Sequence, residues 1–64
     1  MRDYFQNNME YKITIHIKPR GIIKDCNIIE VRDNYIVVTT EHEGKTYEML
    51  VPYDSIKTTS VEVE

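Results

Sequence analysis

Sixty-four residues carry eight lysines and arginines against eleven aspartates and glutamates, a net charge of -3, with a single cysteine. A chain this short covers only roughly 60% of its unfolded surface on folding and usually relies on disulfides, a metal or self-association. One cysteine excludes an internal disulfide, and Cys26, His16 and His42 lack the paired spacing that places ligands on one zinc ion, so self-association remains. The acidic balance argues against gripping a nucleic-acid backbone by bulk charge, although Lys12, Lys18, Arg20 and Lys24 gather in the first half.

Residues 1–10 are polar apart from Tyr4, Phe5 and Met9. Phe5 and Met9 lie four apart and Asp3 can cap, which reads either as a short helix or as a frayed arm. From Tyr11 the period becomes two, with Tyr11, Ile13, Ile15 and Ile17 on one side and Lys12, Thr14, His16 and Lys18 on the other, a half-buried first strand. Pro19-Arg20-Gly21 ends it. Ile22 to Val31 fits no single alternation, and the adjacent pairs Ile22-Ile23 and Ile28-Ile29 predict a bent or bulged strand. After the turn at Arg32-Asp33-Asn34, Tyr35 to Thr40 is the most strand-prone segment and is expected at the centre of the sheet. Glu41 to Lys45 reads as a hairpin loop with Gly44 left-handed. Thr46 to Val51 follows, Tyr47, Met49 and Val51 sharing one face. A tight turn at Pro52-Tyr53-Asp54-Ser55 leads to a last strand, Ile56 to Val63.

Five strands with such short connections predict an all-β domain over residues 11–64: a five-stranded small barrel of SH3-like or Sm-like type, with some edge backbone on the first, fourth and last strands open to a neighbour. The longest apolar run, Tyr35-Ile36-Val37-Val38, is far below the roughly 20 residues that cross a bilayer. With one cysteine and no signal-like segment, a soluble cytoplasmic protein is expected.

The alternating strand Ile13–Ile17, Gly21 opening a long bent strand, Asp33-Asn34-Tyr35-Ile36-Val37-Val38 entering the next, and the short turn before Ile56 together resemble the Sm-like family and, within it, the Hfq type. The resemblance covers about residues 11–63. It implies a ring of copies joined by pairing of the fourth strand with the fifth strand of the next, and a pore that binds single-stranded RNA or uridine nucleotides. Tyr35 then matches the aromatic residue on which a base stacks, a role any flat π-face can fill, and Gln6 matches a glutamine that reads the base. Where the family carries a lysine-histidine pair this chain has Tyr53 and Asp54. The family's second glycine is absent near Cys26-Asn27, one extra residue lies between Gly21 and Asp33, and the Arg-Gly pair of other Sm proteins is missing.

Cys26 sits in an apolar strand and reads as structural, His16 and His42 as solvated, and no carboxylate pair or phosphate-binding glycine loop is present; an enzyme is not expected, nor a cofactor. The five tyrosines are the better lead. Tyr11 and Tyr47 are expected in the core or an interface, Tyr35 and Tyr53 beside turns and facing ligand, and Thr58, Thr59 and Ser60 are possible hydroxyl donors. The expected function is a self-assembling, non-enzymatic binding module. It would hold a nucleotide or short single-stranded RNA at subunit boundaries through Tyr35, Asn34, Tyr53, Asp54 and Gln6. Sequestration of a host signalling nucleotide by a phage protein fits this description. The alternative is a protein-interaction adaptor or inhibitor acting through an open strand edge or an acidic face at Glu41, Glu43 and Glu62.

Overall fold

A computed structural model describes residues 2–62. It contains α1 (Arg2–Asn7), β1 (Lys12–Ile17), β2 (Ile22–Val31), β3 (Tyr35–His42), β4 (Lys45–Pro52), a 3-10 turn (Tyr53–Ser55) and β5 (Ile56–Val61). The strands form one antiparallel sheet in the order β4-β3-β2-β1-β5. The protein is thus all-β with one short helix. Residues 63 and 64, at the end of the expected last strand, lie outside the described residues.

The order corrects two expectations. β2, not β3, is the central strand, because its ten residues are long enough to pair with β1 along one half and β3 along the other. β1 is interior rather than an edge, flanked by β2 and β5. The edges are β4 and β5.

The irregular pattern of β2 has a clear cause. Its register slips against β1 around Asp25 and against β3 at Ile29, so two extra residues bend the strand where it changes partner. Asp25 takes a positive φ of 50° there. The bend turns Cys26 and Ile28 inward and leaves Ile22 and Ile29 about half exposed.

The inner face closes over Ile13, Ile15, Cys26, Ile28, Ile36, Val38, Val51 and Ile56, capped by Phe5 from α1. Met9, Ile17 and Ile23 pack around it. The helix starts at Arg2, which places Asp3 in its first turn rather than at the cap. Tyr11 and Tyr47 are not core: their exposures are 51% and 46%, because the alternation of β1 and β4 runs past the region that other elements cover. On β4 only Val51 is buried.

The β3–β4 hairpin is tighter than expected. Glu43 and Gly44 alone form the turn, with φ of +52° and +79°, the two-residue form whose twist matches the strands.

Candidate functional site

Four of the five expected site residues gather where the β2–β3 turn meets the 3-10 turn. Asn34 and Tyr35 enter β3, Tyr35 lies opposite Pro52, and the Tyr53 backbone N–H donates to the Asn34 carbonyl at 3.0 Å. Asn34 and Asp54 are exposed and Tyr35 half-buried. Gln6 lies on the neighbouring α1, where its amide points at the Met9 sulfur, 3.5 Å away.

The turn itself is tied at every residue. The Arg32 N–H donates to the Tyr35 carbonyl at 2.9 Å, and the Tyr53 hydroxyl donates to the Arg32 carbonyl. The Asp33 carboxylate accepts from the Arg2 guanidinium at 2.7 Å, and Arg32 donates to Glu30 at 2.8 Å. The Tyr53 ring lies parallel to that of buried Phe5, centroids 5.7 Å apart and planes 5° apart. Tyr4 packs against Phe5 edge-on, centroids 5.3 Å apart. Both the ring and the hydroxyl of Tyr53 are therefore engaged within the chain. Tyr35 is the aromatic residue of the turn with no such stacking partner among the described residues.

The electrostatics follow from these pairs. Glu30 holds the Arg32 guanidinium in its charged form, raising its pKa through the hydrogen bond and the opposite charge. Loss of water raises the Tyr53 pKa, with Arg2 opposing and Asp33 assisting. Two arginines are thus already matched by carboxylates, and Asp54 adds a further negative charge. Such an end suits a base or another neutral ring better than a phosphate.

Sequence reasoning missed two depressions, both next to the open edges. One, of about 560 Å³, lies across β2, β3 and β4 and is lined by Ile22, Ile23, Tyr47 and Met49 together with the charged Lys24, Glu41 and Glu48. The other, of about 960 Å³, lies between β5 and the segment around α1, lined by Tyr4, Tyr11, Asn8, Lys12, Thr59 and Ser60. Neither includes Asn34, Tyr35, Tyr53, Asp54 or Gln6, but Thr59 and Ser60, expected as hydroxyl donors, and Glu62 line the second, and Glu41 the first. A signal was present in the sequence: Tyr47 and Met49 share the face of Val51, yet no further apolar segment was left to cover them.

Cys26 is fully buried, its thiol donating to the Ile13 carbonyl at 3.3 Å. Burial, aided by Asp25, pushes its pKa up to about 11, so the neutral thiol prevails at ordinary pH. Among the described residues no three histidines, cysteines or carboxylates gather to hold a metal ion, and no helix is long and apolar enough to cross a membrane.

No family model, curated protein or solved structure matches the chain.

Proposed function

We propose that the protein is a self-assembling binding module, its sheet rolled into a small barrel of Sm-like type and its copies joined head to tail by pairing of β4 with β5 of the next. The observation that carries this reading is the pair of open edges, each beside its own uncovered depression, largely apolar at β4 and of mixed character, tyrosines among polar side chains, at β5. Of the seven large hydrophobic side chains exposed among the described residues, Ile22, Tyr47 and Met49 line the depression beside β4, and Tyr4 and Tyr11 the one beside β5. Apolar patches of this kind beside unpaired strand backbone mark association surfaces. Two different edges make the contact heterologous, which closes into a ring when the rotation allows it.

Assembly brings the Asn34–Tyr35 end of each copy into a repeated array, and there a nucleotide or a short single-stranded RNA is bound. Tyr35 supplies the stacking face and Asn34 hydrogen bonds to the base. Phosphate contributes little, given the carboxylates at this end.

The test is native mass spectrometry of gently purified protein, wild type and Tyr35→Ala. A closed oligomer that retains nucleotide mass, and whose affinity for the nucleotide falls roughly fivefold or more in the variant without a change in subunit number, is the expected result, since stacking on one base is worth about 1–3 kcal/mol. A monomer at all concentrations rejects the assembly.

A second reading has its own observation. The groove beside β4 is lined by Ile22, Ile23, Tyr47 and Met49 and carries Glu41 and Glu48 against the single lysine Lys24, a pattern that also fits a basic, apolar segment of another protein adding a strand to β4. In that case Tyr35→Ala is silent and charge reversal at Glu41 and Glu48 abolishes partner binding.

A further inference from the structure

Every residue of the Arg32–Tyr35 turn is held from outside its own hairpin or across its own base. Arg32 is fixed at both backbone groups, by the Tyr53 hydroxyl and the Tyr35 carbonyl; Asp33 is held by Arg2; and the Asn34 carbonyl receives the Tyr53 N–H. Behind Tyr53 lies Phe5, fully buried and stacked in parallel. A turn on the surface of so small a domain is ordinarily among its most mobile parts. Here the 3-10 turn and α1 lock it.

We infer that α1 and Tyr53 form a clamp that pre-orders the Asn34–Tyr35 turn. Phe5, Tyr53 and Arg2 then act as positioning residues for recognition, and docking of α1 controls it. The inference rests on the binding reading above and assigns Tyr53 a different role from ligand contact. The physical reason is preorganisation: a turn already fixed loses less freedom when a ligand binds, so affinity tracks the clamp. The link runs Phe5 ring, Tyr53 ring, Tyr53 hydroxyl, Arg32 carbonyl, turn. Arg2–Asp33 is a second, exposed tie, and is expected to add less because exposed ion pairs contribute little.

The decisive variant is Tyr53→Phe, which keeps the stack on Phe5 and removes only the hydroxyl. Amide hydrogen exchange is measured in wild type, Tyr53→Phe, Arg2→Gln and Tyr53→Ala, together with the affinity of uridine and adenosine 5′-monophosphates by NMR titration. In Tyr53→Phe, exchange at the hydrogen-bonded amides of the turn, those of Arg32 and Tyr53, is expected to rise roughly three- to tenfold, the loss of one hydrogen bond, while Ile15 and Val38 in the core stay unchanged and nucleotide affinity falls by a similar factor. Arg2→Gln shows the same pattern more weakly. Tyr53→Ala exceeds both if it folds, and the conclusion does not depend on it. Exchange that rises equally throughout, or turn exchange that rises with affinity unchanged, overturns the positioning role. A wild type that binds neither nucleotide at millimolar concentration rejects the binding reading instead, and the clamp is then decided by whether the exchange change is confined to the turn.

Discussion

The Cys26 thiol shows how one buried group sets a pH limit on stability. Its pKa stands near 11 in the folded protein against an ordinary value of 9.0, chiefly because burial disfavours the thiolate. The folded state therefore keeps its proton at pH values where the unfolded chain has lost it. Unfolding then releases that proton, and stability falls as pH rises. The contribution is complete below about pH 9 and is lost as pH rises from there through about 11. Tyr53, also raised, acts in the same direction. Denaturant titrations across this range are expected to show a shallower alkaline decline in Cys26→Ala than in wild type, even though the variant is less stable at neutral pH. An equal slope in the two proteins would show that the thiol is not the source. The same burial makes Cys26 slow to react with thiol reagents until the sheet opens.

Among the elements, the β3–β4 hairpin and the β1–β2 connection both depend on glycine, for different reasons. Gly44 sits at φ +79°, near the left-handed helical region, and a Cβ there meets nothing within 4 Å. Its replacement costs backbone conformation only. Gly21 sits at φ +136°, beyond the region other residues reach readily, and its carbonyl accepts the Ile17 N–H at 3.0 Å to close the connection. Gly44→Ala is expected to cost about 1 kcal/mol, a fall in Tm of roughly 4–8 °C for a domain of this size, and Gly21→Ala distinctly more. Thermal melts of the two variants check the order. The bulges in β2 belong to this scale too. Adjacent isoleucines were a legible sign of irregularity, whereas the slips at Asp25 and Ile29 became assignable only once β1 and β3 were in register.

For the molecule as a whole, nine side chains among the described residues form the core, and much of the remaining large apolar surface of those residues lies beside the two strand edges. Such a protein is expected to gain stability with concentration, because a partner that binds only the folded state shifts the folding equilibrium by mass action. Met49 is 39% exposed, so Met49→Glu leaves the monomer fold in place while setting a carboxylate in the proposed interface. Light scattering is expected to report the variant as monomeric where wild type is oligomeric, and its Tm to lose concentration dependence. An unchanged oligomer would place the interface elsewhere. The test bears on assembly alone and leaves the Tyr35 site to its own variant.

The local pattern of residues by itself determined the all-β class, the five strands within a few residues, the burial of Cys26 and the glycine-dependent turns, because alternation and turn chemistry act over neighbouring residues. It also placed Asn34, Tyr35, Tyr53 and Asp54 beside turns that prove to adjoin. The pattern also pointed to open edges on the fourth and last strands, whereas the strand order, the interior place of β1, the exposure of Tyr11 and Tyr47, and the engagement of Tyr53 by Phe5 and Arg32 were decided by tertiary structure. Each of these depends on which distant segment covers a given side chain, and alternation along one strand records only that one face is apolar, not whether anything is present to bury it.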